Sequence, residues 1–255
     1  LLGVFRLGTI IKYIPYPIVV GFTSGIAVTI FTTQVKDLLG LTTGPVPADF
    51  VAKWATYVQA LPTVDPWSTA VGVLSVVAIA LTPRLSRKVP GSLVAIVVMT
   101  VAAYLLRTYA GVESIETIGD RFSIRAELPS AAVPVLTWEG VKQLVQPALT
   151  IAVLGAIESL LSATVADGVT GRRHDSNQEL IGQGIANLCS PLFGGIPATG
   201  AIARTMTNIN NGGRTPVAGI VHAAVLLLIF LVFMPLAQYI PMACLAGVLV
   251  VVSYN

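Results

Sequence analysis

Pro197-Ala-Thr-Gly-Ala-Ile-Ala-Arg-Thr-Met-Thr-Asn-Ile-Asn-Asn-Gly-Gly213 reads as a helix too short to cross a bilayer, lodged between long apolar segments. A short helix at membrane depth offers its unpaired backbone N–H groups and the positive end of its dipole to whatever lies in front of it. The stretch therefore reads as an anion site made mostly of backbone. Gly194, Gly195 and Gly200 supply the close backbone approach that an anion cradled by N–H groups needs. Asn208, Asn210, Asn211, Gly212 and Gly213 then form a polar cluster that ends a helix. A surface loop would explain that cluster alone, but not the apolar spans on both sides of it.

Composition places the chain in lipid. With 55% hydrophobic residues, 11% charged residues and a mean hydropathy of +0.82, it lies outside the roughly 45–50% apolar and about 25% charged residues of soluble domains. The net charge of +3 comes from Lys and Arg dispersed over short connections, which excludes a nucleic-acid partner. Cys189 and Cys244 sit in apolar segments with neither disulfide nor metal-ligand spacing, so both read as small buried hydrophobes. The chain opens on Leu1 and stops at Asn255 beside the apolar run Ala243 to Val252, and is expected to be an excerpt of a longer polytopic protein.

A spanning helix needs about 20 apolar residues. Pro17 to Thr33, Trp67 to Thr82, Gly91 to Leu106, Gln143 to Asp167, Gln178 to Phe193, Val217 to Leu236 and Pro241 to Val252 are the expected spans, with Leu1 to Tyr13 the end of an earlier one. Basic residues mark cytoplasmic loops. The turn with Arg84, Arg87 and Lys88 and the loop with Arg172 and Arg173 are therefore cytoplasmic, and the connections 36–65 and 108–142 lie on the outer face. The second of these, with Pro129, Pro134 and the β-branched run to Thr137, is expected to be extended.

Two charges fall at membrane depth. Glu158, in Ala156-Ile-Glu-Ser-Leu-Leu-Ser162, would cost several kcal/mol facing lipid, so it must face protein or a wet cavity, either as a proton carrier or as a protonated, hydrogen-bonded residue joining two helices. Ser162, four residues on, shares its helical face, whereas Asp167 points to the other side and is read as a solvated or capping group. Arg204, seven residues after Pro197, adds a fixed cation to the positive end of the short helix; its alternative is an ion pair with Glu158 that neutralises both. Gln183 and Asn187, with Gly182, Gly184 and Ala186, make a stripe suited to close helix packing and interhelical hydrogen bonds, or to lining the cavity. Gly21 and Gly25 form a small-xxx-small face read as a helix–helix contact. His174 is read as solvated and His222 as interfacial or packed.

These residues resemble one known family. Arg6-Leu-Gly8, Ile14-Pro-Tyr-Pro-Ile-Val-Val-Gly-Phe-Thr-Ser-Gly-Ile-Ala27, Ala156 to Ser162, Asp175-Ser-Asn-Gln-Glu-Leu-Ile-Gly-Gln-Gly-Ile-Ala-Asn187, Phe193 to Thr205 and Asn211-Gly-Gly-Arg-Thr-Pro-Val-Ala-Gly219 are together similar to the SulP, or sulfate permease, anion transporters. The resemblance implies an all-α polytopic membrane protein, part of a fourteen-helix fold of two inverted seven-helix repeats, with a short strand and half-helix at the substrate site. Residues 17–255 would run from the fifth helix into the twelfth, with the half-helix near 203–211 the tenth. It further implies an organisation in which 1–14 close a preceding helix, 15–107 belong to a gate domain, 143–237 to a core domain that carries substrate, and 238–255 begin a second gate segment. By motif match Gly200, Ala201, Ile202, Ala203 and Arg204 would bind substrate, and Glu158 with Ser162 would serve coupling. The resemblance also implies a homodimer of the full-length protein in a bacterial inner membrane.

Two departures from the pattern matter. The first repeat up to its fourth helix and the cytoplasmic STAS domain are missing, so the chain alone is not expected to transport. Ile202 also offers no oxygen where sodium-coupled members would place one, which favours H+ over Na+ as coupling ion. No cofactor or metal site is expected. The reading is a secondary transporter of small inorganic or carboxylate anions such as sulfate, bicarbonate or dicarboxylate. Its alternatives are a nucleobase permease of the same architecture and a structural membrane protein without a substrate. A membrane enzyme would need clustered nucleophile, base or metal ligands that the sequence does not show.

Overall fold

The computed structural model describes residues 1–9, 16–85, 89–123, 130–133, 135 and 137–254, with the backbone alone for Tyr16, Ile18, Val19, Leu85 and Ala203. The described residues form ten α-helices: α1 (Tyr16–Leu39), α2 (Phe50–Ala60), α3 (Pro66–Leu85), α4 (Gly91–Ala110), α5 (Ile118–Arg121), α6 (Trp138–Thr170), α7 (Ser176–Cys189), α8 (Ile202–Asn210), α9 (Val217–Ala237) and α10 (Met242–Tyr254). Four of them, α3, α4, α6 and α9, are long and apolar enough to cross a membrane. Side chains along α9 are exposed without interruption by any buried residue, as expected of a helix whose apolar surface meets lipid tails. The chain divides into two compact units, Leu1–Pro15 with Glu127–Leu228, and Tyr16–Ala126 with Ile229–Asn255.

In the second unit α1, α3, α4 and α10 pack on one another. Lipid tails are as apolar as leucine, so helices associate in a membrane through close packing rather than burial from water, and small residues set the approach. A Cβ added at Gly72 would lie 2.7 Å from Leu38 Cδ1, and one at Gly247 would lie 2.8 Å from the carbonyl oxygen of Gly72. Ala243, Cys244 and Ala246 are buried beside them, with Val71, Met99, Ala103 and Ile115 completing the cluster. The buried Ser75 hydroxyl donates a hydrogen bond to the carbonyl of Val71, 2.7 Å away, so it costs the core little. Gly21 and Gly25, expected to make the helix contact, have no described atom within 4 Å of an added Cβ. The seam lies at Gly72 and Gly247 instead.

Two of the expected connections contain helix. Residues 36–65 include α2, capped by Asp49 Oδ1 accepting from Ala52 N at 2.9 Å, with Phe50, Trp54 and Tyr57 stacked edge to face and Leu41, Tyr57 and Ala60 buried together. Residues 108–142, expected to be extended, hold the short α5; Arg125, Glu127, Pro129 and Pro134 there, like Lys12, Arg87 and Lys88, lie outside the described residues. Further ties come from Met242 N donating to Glu116 O at 2.9 Å and Ile118 N to Ile240 O at 3.0 Å. Arg121 pairs with Asp37 at 2.8 Å and also with Glu116. Arg107 grips both oxygens of Asp120, at 2.6 and 3.2 Å.

In the first unit α6 has 33 residues, begins at the Thr137 cap and ends on Gly171 with φ of 68°. The expected span from Gln178 to Phe193 is interrupted. Its α-helix, α7, is 14 residues long, about 21 Å and short of the hydrocarbon thickness. A 3-10 turn at Ser190–Phe193 follows, closed by Gly194 at φ of 72°. Cys189, expected to be buried, is exposed; Cys244 is buried as expected.

The Arg107 guanidinium, reinforced by the backbone N–H and hydroxyl of Thr117, holds the Asp120 carboxyl at about 2 against the opposing effect of burial. A carboxyl lowered by folding stabilises the native state above its unfolded value of 3.8 and loses that contribution as pH falls through the folded one. The melting temperature in detergent should therefore drop between about pH 4 and pH 2. Asp120→Asn should lower it at neutral pH and flatten its dependence across that interval.

Candidate functional site

The approach to α8 is extended for a local reason. A residue preceding proline is driven out of the α region by the proline ring, and Gly194 and Gly195 break the helical run just before Ile196 and Pro197. From Gly195 to Ala201 the backbone has no regular structure. The expected short strand is present only as extended chain, with no sheet partner among the described residues; Ala201 has φ of −121° and ψ of 119°. Side chains supply the pairing. Asn187 Nδ2 donates to the carbonyl of Ala198 at 2.8 Å and Asn187 Oδ1 accepts from Ala198 N at 2.7 Å. Gln183 Nε2 donates to the same carbonyl, and the Ser190 hydroxyl to that of Ile196 at 3.0 Å.

On the other side the segment is fastened to α6. Thr199 Oγ1 donates to the carbonyl of Gly155 at 2.9 Å and lies 2.8 Å from Ser159 Oγ, which accepts from Gly200 N at 3.1 Å. One turn along, the Ser162 and Thr205 hydroxyls share a hydrogen bond of 2.7 Å. A Cβ on Gly200 would sit 3.2 Å from Ser159 Cα, so the absence of a side chain there is what lets the chain reach α6. The amide of Gly200 is engaged with Ser159. Those of Ile202, Ala203 and Arg204 precede the first intrahelical bond, Thr205 N to Ala201 O at 2.9 Å. No side chain caps the helix, so these N–H groups and the dipole they terminate are left to meet an anion.

At about 100° per residue, Gly155, Ser159 and Ser162 share a 60° sector of α6, and Glu158 stands roughly 70° from its centre. Glu158 is thus at the margin of the α6–α8 contact, half-buried. On α8 the half-buried residues Ile202, Thr205, Met206 and Ile209 form one face, and the exposed Arg204 and Asn208 lie away from it. Glu158 and Arg204 make no ion pair with each other. The structure brings Gly200, Ser162 and the turn of α6 that carries Glu158 together, while the Arg204 side chain turns away from α6. Asn187 is read from sequence for helix packing or for lining the cavity, whereas Ser159, Thr199 and Thr205 carry no signal that singles them out. The i, i+4 polar pair Gln183–Asn187 was the signal available for the first.

A second polar cluster lies where α6 meets α7. His174 Nδ1 is 2.7 Å from Asp167 Oδ2 and His174 Nε2 is 2.9 Å from Ser176 Oγ, so His174 is held rather than solvated and Asp167 anchors the turn. The order of acid, imidazole and hydroxyl is that of a hydrolytic triad. The neighbouring amides of Asn177 and Gln178, however, are both spent on Asp175 Oδ1, at 2.9 and 3.2 Å, and are not available to an oxyanion.

The sequence profile of the sulfate permease family matches residues 1–255. The chain belongs to the sulfate permease family. It is 46% identical over 256 residues to YvdB of Bacillus subtilis (strain 168), which carries a sulfate-transporter name, covering 100% of this chain and 48% of YvdB. It is 36% identical over 251 residues to the bicarbonate transporter BicA of Synechocystis, covering 96% of this chain and 42% of BicA. The chain spans about half the length of the curated relatives it matches. Among solved structures, the transmembrane domain of a cyanobacterial BicA aligns with a TM-score of 0.85 at 34% identity, covering 99% of this chain and 63% of that one. The murine Solute Carrier 26 family member A9 anion transporter, in its inward-facing state, shares the fold with a TM-score of 0.82 at 22% identity over 98% of this chain and 41% of that one. The chain is therefore part of an inverted-repeat transporter fold in a multi-pass membrane protein. Its family is one of transporters, not enzymes.

Gly200→Ala pushes a methyl against the α6 backbone and should destabilise the protein by about 1–3 kcal/mol. Gly182→Ala, on a helix with nothing within 4 Å of the new Cβ, should be neutral or stabilising by up to about 1 kcal/mol. Thermal unfolding of the two variants in detergent compares them directly.

Proposed function

We propose that the intact protein is a secondary active transporter of small anions in the bacterial inner membrane. Residues 200–204 form one side of its substrate site and Glu158 carries a coupling proton. The observation that supports this most is the uncapped first turn of α8, whose amides follow an extended segment fastened on both sides by hydrogen bonds. Backbone donors recognise negative charge without demanding one shape. That tolerance suits sulfate, bicarbonate and dicarboxylates alike, and the names of the relatives include both sulfate and bicarbonate transporters.

The unit containing α6, α7 and α8 is proposed as the substrate-carrying core, and the unit built on α1, α3, α4 and α10 as the gate. Movement of core against gate would expose the site to each side in turn. Glu158 is favoured as a proton carrier because Ile202 contributes no oxygen ligand for Na+, which prefers oxygen. A homodimer is the proposed assembly of the intact protein.

Reconstitution into liposomes with sulfate, bicarbonate, a dicarboxylate and a nucleobase in parallel tests the reading. At least one anion should be taken up faster under an inward proton gradient. Arg204→Ala, which removes a cation from the positive end of α8, should lower anion flux by about tenfold, and Glu158→Gln should abolish the dependence on pH. Uptake of the nucleobase alone would overturn the reading. So would both variants retaining wild-type anion flux and pH dependence.

A further inference from the structure

No strand among the described residues pairs with the chain ahead of α8, yet at membrane depth a polar backbone group without a partner is costly. Asn187 meets that need at one residue. Its carboxamide gives a hydrogen to the oxygen of Ala198 and takes one from the nitrogen of Ala198, at 2.8 and 2.7 Å, which is the pairing a neighbouring strand would supply. Gln183, one turn earlier on the same face of α7, adds a second donor to that oxygen and fills its remaining lone pair. The stretch is thus held from two helices, by α7 at Ala198 and by α6 at Thr199 and Gly200.

The direction of the α8 amides depends on where the chain leaves these ties. Ala198 lies four residues before Ile202, the first residue of α8. The helix that presents the clamp is itself fixed, since Asp175 caps its first turn and Leu180 is buried. We propose that Asn187, assisted by Gln183, is a positioning residue for anion recognition. By standing in for a missing strand it aims the first-turn amides of α8 at the substrate. This rests on the anion-transport reading above. Asn187 touches the chain, not the anion, and acts through the geometry it imposes.

The test uses the intact protein in liposomes and measures initial flux against anion concentration, for sulfate and for bicarbonate. Asn187→Ala should raise the half-saturating concentration by about tenfold, the upper end of what losing hydrogen bonds of this kind produces. Asn187→Asp can still accept from Ala198 N but cannot donate to its oxygen and brings negative charge, so it should raise that concentration further. Gln183→Ala should act in the same direction more weakly. Ser190→Ala, which removes the tie to Ile196 farther from α8, should stay within about twofold of wild type.

Hydrogen exchange supplies a second measurement. The amides of residues 202–204 should exchange faster in Asn187→Ala, with the middle of α6 unchanged; a merely structural residue would lower the yield and melting temperature and leave half-saturation alone. If Asn187→Ala does not fold, Gln183→Ala and Asn187→Asp carry the test. Unchanged half-saturation in the folded variants of a wild type that transports overturns the proposal alone. A wild type that moves neither anion overturns the transport reading and the proposal with it.

Discussion

Every backbone N–H and C=O at membrane depth must find a partner, because no water is there to supply one. Regular helices meet this internally. The segment 195–201 cannot, and much of the first unit follows from how it is satisfied. The carboxamides of Gln183 and Asn187 and the hydroxyls of Ser190, Thr199 and Ser159 surround it. The groups that pair the Ile196 carbonyl, both backbone groups of Ala198 and the Gly200 amide end just where α8 begins. Three amides beyond that point are left without side-chain or intrahelical acceptors. A broken helix held by side chains at Ile196, Ala198 and Gly200 thus opens α8 with its first amides unclaimed.

The second unit solves a different problem with different residues. Its helices approach through Gly72, Ala243, Ala246 and Gly247, where the contact is backbone against backbone. Among the described residues its ion pairs gather at one end, in the Arg107–Asp120 pair and the set formed by Arg121, Asp37 and Glu116. That end is only partly buried: Arg107 and Asp120 keep 32% and 41% of their side-chain surface exposed. Solvent screens such a pair, so its worth lies in fixing α5 against the end of α4 more than in raw Coulomb energy. The first unit thus spends side-chain polar groups on an irregular segment, while the second turns buried hydroxyls such as that of Ser75 onto its own helix backbone.

Apolar runs made α3, α4, α6 and α9 legible to within a few residues, because a long stretch of aliphatic side chains has few other uses. The half-helix was legible too, from Pro197 at one end and the Asn-Gly cluster at the other. Helix α2 was not, since eleven residues with Lys53 in the middle look like a connection until Tyr57 and Ala60 find Leu41. Small-xxx-small spacing is read at Gly21 and Gly25, while Ser68–Gly72 and Ala243–Gly247 have the same spacing and are the faces that meet among the described residues. Spacing nominates such faces; which of them meet is decided by tertiary placement. At the candidate site, attention to charge nominates Glu158 and Arg204 but passes over Ser159, between Glu158 and Ser162, which holds the Gly200 amide. The partner of the Gln183–Asn187 stripe was equally hidden, because a backbone carbonyl is the same at every position of a sequence.

Helix α6 is 33 residues long, about 50 Å of rod in a hydrocarbon layer of about 30 Å. Tilt alone within the usual range of up to about 40° does not absorb the difference. Its first turns must stand in the headgroup layer, where Trp138 lies with the Lys142 ammonium 5.3 Å from its ring centre, an arrangement of the kind that anchors helices at that depth. Because Gly155, Ser159 and Ser162 bolt the opening of α8 to the middle of this rod, the two must shift as one piece. A thinner host bilayer, by making the rod lean, would change the depth and heading of the first α8 amides together, so that lipid thickness becomes a variable acting on where they point.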